Sequence, residues 1–108
     1  MRIGLFAAKA AVSVQTIRYY ERRGLLKKPR RLSSGYRDYA PGMVAVVDFI
    51  KRSQESGFTL REIETLLRLL SARSLSAVDA RARVTDKLRQ IDSRIQSLQM
   101  IRNRLTKV

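Results

Sequence analysis

The chain has 108 residues and a formal charge of +14, from 23 Lys and Arg against 9 Asp and Glu. That length gives one domain with room for an appendage, and the charge calls for a polyanionic partner: nucleic acid, an acidic membrane or an acidic protein. With no Cys and no His, disulfides, zinc fingers, thiol redox chemistry and a His general base are all excluded. The charge is unevenly placed, with net +8 over residues 1–40, zero over 41–70 and +6 over 71–108. No apolar run approaches the roughly 20 residues of a membrane span. No signal-peptide core follows Met1, so a cytoplasmic protein is expected.

In chain order, Gly4–Ala11 reads as a short helix, and Ser13 is a suitable N-cap for a second helix from Val14 to Arg23. Gly24 supplies the stop. Two extended pieces, Leu25–Lys28 and Tyr36–Tyr39, flank the basic turn-rich stretch Pro29-Arg30-Arg31-Leu32-Ser33-Ser34-Gly35 and predict a β-hairpin. Pro41 suits the opening of a third helix with an apolar face through Met43, Val44, Val46, Val47, Phe49 and Ile50, ending by Gly57. Thr59 and Glu62 form a capping box for the fourth helix, with Phe58 and Ile63 at the staple positions. Residues 71–76 are a polar connector. Ser76 with Asp79 then offers a cap for a last helix without Gly or Pro.

Along that last helix apolar residues recur every three or four positions: Ala77, Ala80, Val84, Leu88, Ile91, Ile95, Leu98, Ile101, Leu105 and Val108. The mean spacing is close to the roughly 3.5 of a coiled coil. A helix of some 30 residues spans about 45 Å at 1.5 Å per residue. The 70 residues before it make too small a body to cover that length, so a second chain is expected against Val84, Leu88, Ile91, Ile95, Leu98, Ile101 and Leu105.

The two first helices and the turn at Ala11-Val12-Ser13 make a helix-turn-helix, with Ala7 at the crossing and Val12 and Ile17 beneath. The exposed face of the second helix carries Gln15, Thr16, Arg18, Tyr19 and Arg22, and Ser13 leads into it. Such side chains suit a major groove: Arg bridges guanine O6 and N7, Thr meets a thymine methyl, and Tyr reaches a phosphate. Arg30, Arg31 and Arg37 of the hairpin would flank this helix as a wing and position the head on phosphates. Between residues 18 and 37 there are eight basic residues and one acidic residue. No paired carboxylates, nucleophile–base set or phosphate loop supports an enzyme.

Three strings carry a family resemblance. Thr16-Ile17-Arg18-Tyr19-Tyr20-Glu21-Arg22-Arg23-Gly24-Leu25-Leu26, then Gly35-Tyr36-Arg37-Asp38-Tyr39, then Gly57-Phe58-Thr59-Leu60-Arg61-Glu62-Ile63 resemble the mercury-resistance regulator (MerR) family, in order and at family spacing. The resemblance implies a mainly α fold: a winged helix-turn-helix head over residues 1–70, with the helix-turn-helix about 4–23 and the wing about 25–39, and an antiparallel dimerisation helix over 77–108. It implies a homodimer on an inverted repeat in a promoter spacer. Distortion of that DNA lets RNA polymerase engage both promoter elements, so the polymerase is a partner only through the promoter. On the matching positions Thr16, Arg18 and Tyr19 would be recognition-helix contacts, Tyr36 and Arg37 wing contacts, and Gly35 the shaper of the turn. Tyr20 belongs to the core beside Ile17.

Two departures matter. Ala11 stands where the family commonly has Gly, so its backbone must avoid the left-handed region or carry about 1–2 kcal/mol of strain. Ala77 stands near the position where metal-sensing members have a Cys, and the sequence reaches Val108 without their Cys-bearing loop. A mercury, copper, zinc or cadmium thiolate site is therefore not expected; no cofactor is implied and the effector is not identifiable. A second reading keeps the head as an architectural, excisionase-like DNA-bending protein, although small excisionases usually lack a dimer helix. A third, basic RNA-binding protein predicts comparable affinity for structured RNA.

Overall fold

Helix α1 (Ile3–Ala10) turns three residues inward, Phe6, Ala7 and Ala10, and leaves Leu5, Ala8 and Lys9 exposed. A computed structural model describes residues 1–71 and 77–108 and continues the chain as α2 (Val14–Arg22), β1 (Arg30–Arg31), β2 (Arg37–Asp38), α3 (Met43–Glu55), α4 (Leu60–Leu70) and α5 (Ala77–Thr106). The contacts fall into two units, Met1–Leu67 and Arg68–Val108. The connector expected over 71–76 lies, apart from Ser71, outside the described residues. So do the Ser76 cap and the side chains of Ala77 and Ala80.

In the first unit α1 packs on α2 and α3. The small side chains of Ala7 and Ala10 permit that close approach. Around them Phe6, Ile17, Tyr39, Val47, Ile50 and Ile63 are fully buried, with Tyr20, Leu25 and Leu26 nearly so. Each such aliphatic or aromatic side chain contributes roughly 1.5–3 kcal/mol of burial. The rings of Phe6 and Tyr39 meet at 4.8 Å and 41°, which ties α1 to the end of the hairpin. Tyr20 is core as expected, and its hydroxyl donates to Gln54 Oε1 at 2.9 Å.

The capping box on α4 forms in both directions. Glu62 N–H donates to Thr59 Oγ1 at 3.1 Å, and Thr59 N–H to Glu62 Oε1 at 3.0 Å. Phe58 packs half-buried on the core and Ile63 is fully buried, as a staple requires.

The hairpin departs from the expected strand limits. Its first strand is Arg30–Arg31 rather than Leu25–Lys28, and the register pairs Arg30 with Asp38 and Arg31 with Arg37. Leu25 and Leu26 are drawn into the core, and both their N–H groups point to Tyr20 O, at 2.9 and 3.4 Å. They extend the C-terminal turn of α2 and have no amide to give to a sheet. The tip is shorter than expected, because Leu32 N–H donates to Tyr36 O and Gly35 N–H to Leu32 O at 2.9 Å. Gly35 takes φ +88°, the left-handed residue that closes a three-residue loop.

Ala11 adopts φ 54° and ψ 43°, so the turn takes the left-handed conformation despite its Cβ. Val12 N–H donates to Ala7 O at 3.1 Å and Ala11 N–H to Ala8 O at 3.2 Å, the paired bonds of a Schellman motif. Lys51 Nζ adds a bond to Ala11 O at 3.3 Å. The strain is about 1–2 kcal/mol, and Gly would give back about 0.4–1 kcal/mol through its freer unfolded chain. Ala11→Gly is therefore expected to stabilise the head by up to about 1 kcal/mol, a rise of a few degrees in thermal midpoint. A midpoint that falls in a thermal scan at fixed protein concentration would reject the strain assignment.

In the second unit α5 is a single 30-residue helix. Leu88, Ile95, Leu98, Ile101 and Leu105 all stand exposed on it, Leu98 with 65% of its surface open. No helix among the described residues is long and apolar enough to cross a membrane.

Candidate nucleic-acid interface

Helix α2 is capped by Ser13, whose backbone is extended and whose Oγ accepts from Thr16 N–H at 3.1 Å. The hydroxyls of Ser13 and Thr16 lie 2.9 Å apart and share a hydrogen bond. These two candidate contacts therefore fix the N-terminal turn of α2 as well as facing outward. The inner face of α2 is Ile17, Tyr20 and Glu21, all buried. Gln15, Arg18, Tyr19 and Arg22 fall at i, i+3, i+4 and i+7 and are all exposed, with Thr16 half-buried at their edge. This is the exposed face that the helical spacing predicts.

On the wing Arg30, Arg31 and Tyr36 are exposed. Arg31 Nη1 donates to Gly35 O at 3.1 Å, so Arg31 also braces the tip. Arg37 is different. Its side chain is 30% exposed, and its Nη1 donates to Glu21 Oε2, a carboxylate that is only 3% exposed. The other oxygen of Glu21 accepts from the Tyr39 hydroxyl. One carboxylate on α2 thus holds two side chains from β2 and the residue after it.

Between α1, α2 and the wing lies an open cleft of about 870 Å³ whose walls include Arg2, Arg18, Arg22, Lys28 and Arg37. Glu21 is the acid among its lining residues, and its charge is spent on Arg37. The four cations outside that pair, Arg2, Arg18, Arg22 and Lys28, focus a positive potential on the concavity.

Three residues here escaped the sequence reading. Arg2 places its guanidinium 3.9 Å over the Tyr36 ring, a cation–π contact that joins the start of α1 to the wing. Lys28 was expected in a strand, and it lines the cleft instead. Glu21 had one available signal, as the single acidic residue between 18 and 37.

Burial, and then the hydrogen bond to Glu21, push the Tyr39 phenol above its usual 10.0. Burial followed by the nearby Tyr19 pushes Tyr20 the same way. Arg37 is held above its ordinary value by its hydrogen bond with Tyr39 first and by the charge of Glu21 next. For a tyrosine raised on folding, the stabilisation is complete below pH 10.0 and is lost as pH rises through the folded value. Tyr39→Phe is expected to cost about 1–3 kcal/mol at neutral pH by deleting a bond to a charged acceptor. It should also make the fall in thermal midpoint above pH 10.0 less steep than in the parent. An equally steep alkaline fall in the variant would show that Tyr39 does not carry it.

The family profile described as "MerR HTH family regulatory protein" matches residues 1–70, and the one described as "MerR, DNA binding" matches residues 44–108. The chain is 41% identical over 104 residues to a mercuric resistance operon regulatory protein of Bacillus cereus, covering 96% of this chain and 79% of that one. Among solved structures, the transcription regulator PbrR691 of Ralstonia metallidurans in complex with lead(II) aligns with a TM-score of 0.65 at 33% identity, over 99% of this chain and 84% of that one. HiNmlR, described as a MerR family regulator lacking the sensor domain and bound to promoter DNA, shares the fold with a TM-score of 0.66 at 17% identity, over 92% of this chain and 75% of that one.

Proposed function

The chain belongs to the MerR family of DNA-binding transcriptional regulators, and from that premise we propose that it binds an inverted repeat in a promoter spacer as a homodimer and controls transcription by distorting the DNA. The observation that carries this reading is the exposed row Gln15, Arg18, Tyr19 and Arg22 on α2 beside a cleft walled by five cations. In this reading the row meets base edges in the major groove. Arg30, Arg31, Tyr36 and Arg37, with Arg2 and Lys28, would hold the phosphates on either side and keep the helix in register. Relatives of this kind are regulators, a non-enzymatic class.

The dimer is supported by α5. Its apolar residues are spaced for a coiled-coil seam, and Val84, Leu88, Ile95, Leu98, Ile101 and Leu105 stand exposed in the single chain, with Ile91 partly so. Two heads joined by such a seam read two half-sites, so the operator has dyad symmetry. Bending and untwisting the spacer costs on the order of 1–6 kcal/mol, offset by the added contacts of both heads. RNA polymerase is then affected through the shape of the promoter, in the cytoplasm.

These 108 residues hold no Cys and no His, so a soft-metal thiolate site has no ligands among them. The described residues also contain no group of three or more acidic side chains placed to hold a metal ion.

Selection of bound duplexes from a random DNA pool tests the reading. The expected product is one inverted repeat with a fixed centre-to-centre spacing. Enrichment of direct repeats would favour an architectural, excisionase-like protein. Equal retention of structured RNA would reject sequence-specific DNA binding.

A further inference from the structure

Glu21 is an acid in the part of the head that must accept a polyanion. An exposed carboxylate there would repel phosphate and weaken binding. It is instead almost wholly buried, at a desolvation cost of several kcal/mol for an ion in protein unless it is paired and hydrogen-bonded. Both of its oxygens are occupied, one by Arg37 Nη1 and one by the Tyr39 hydroxyl. Its backbone belongs to α2, and its partners belong to β2 and the residue that follows. The exposed cations Arg18 and Arg22 stand on the same helix, three residues before and one after it, and line the same cleft as Arg37.

A guanidinium is a rigid planar fork that can give one edge to a carboxylate and present the rest elsewhere. Arg37 keeps 30% of its side chain open while bonded to Glu21, on the cleft wall. We propose that Glu21 is a positioning residue: it holds the Arg37 guanidinium at a set place beside the recognition helix, so that helix and wing engage the DNA backbone as one rigid piece. The proposal rests on the DNA-binding reading above and deepens it. Arg37 is the group that meets phosphate. Glu21 touches no DNA and acts through it.

Salt dependence separates positioning from a merely structural role. Each phosphate contact contributes about 0.9 to the slope of log K against log salt, so losing Arg37 from both heads of a dimer removes close to two units. The experiment titrates the parent, Arg37→Ala, Glu21→Gln and the double variant with the selected duplex at several salt concentrations. Glutamine keeps the shape and one acceptor and removes the charge. Arg37→Ala and Glu21→Gln should each weaken binding to all sequences alike, on the order of tenfold, and flatten the slope. The double variant should be no weaker than Arg37→Ala alone, because both changes remove one interaction.

A folded Glu21→Gln with the parental slope, or a steeper one, would overturn the proposal; a steeper slope would mean that Glu21 only competes for Arg37. Should Glu21→Gln not fold, Arg37→Ala still decides, since an unchanged slope there leaves nothing for Glu21 to position. Parental protein that binds no duplex would instead remove the DNA-binding reading itself.

Discussion

Ile91→Glu with Ile95→Glu is expected to turn the protein into a monomer that loses its operator affinity by two to four orders of magnitude. Ile91 and Ile95 are successive positions of the apolar stripe on α5, and Ile95 is exposed when the chain is taken singly. In a paired helix each would lie in the seam, and four carboxylates would enter an apolar stripe. Desolvating each unpaired charge costs several kcal/mol, and the burial of four isoleucine side chains, roughly 1.5–3 kcal/mol each, is lost with it. A monomer then binds one half-site without the tethered second head, and forfeits an avidity gain of about 10²–10⁴. Sedimentation reads the mass and a duplex titration reads the affinity. A persistent dimer would show that the stripe packs elsewhere.

Arg18→Ala is expected to cost about 1–3 kcal/mol of operator binding and to relax preference at one base position in each half-site. Arg18 sits mid-helix on the exposed face of α2, and its side chain borders the cleft. A bidentate guanidinium there can span guanine O6 and N7, which an alanine methyl cannot do. Binding measured against a panel of single-base operator variants separates the roles. If the variant weakens on all sequences equally and the salt slope drops, Arg18 is a phosphate contact and base reading belongs to its neighbours.

What could be read from the sequence was local, and what could not was set by contacts distant along the chain. The Ser13 cap and the Thr59–Glu62 box each lie within a single turn of helix, so residue identity at a three-residue spacing was enough to place both. Leu25 and Leu26 lie outside the strand that their pattern suggests, because two apolar residues before a polar pair look alike in a strand and in a turn drawn into a core. The bond of both amides to Tyr20 O decides between them. At Ala11 the residue type leaves two choices open, avoidance of the left-handed region or strain. The hydrogen bonds from Val12 N–H to Ala7 O and from Ala11 N–H to Ala8 O impose the strain. At the interface the exposed face of α2 followed from helical spacing. The Arg37–Glu21 and Arg2–Tyr36 contacts join residues far apart in sequence, and no periodicity marks them.

The dimeric, sequence-specific regulator proposed here makes a definite statement about stoichiometry. A labelled duplex bearing the selected inverted repeat, titrated at concentrations far above the dissociation constant, should saturate at two chains per duplex. A duplex with one half-site scrambled should bind at least a hundredfold more weakly, about 2.8 kcal/mol at 1.4 kcal/mol per decade. Saturation at one chain per duplex, with equal affinity for the intact and scrambled sites, would remove both the dimer and the dyad from this description.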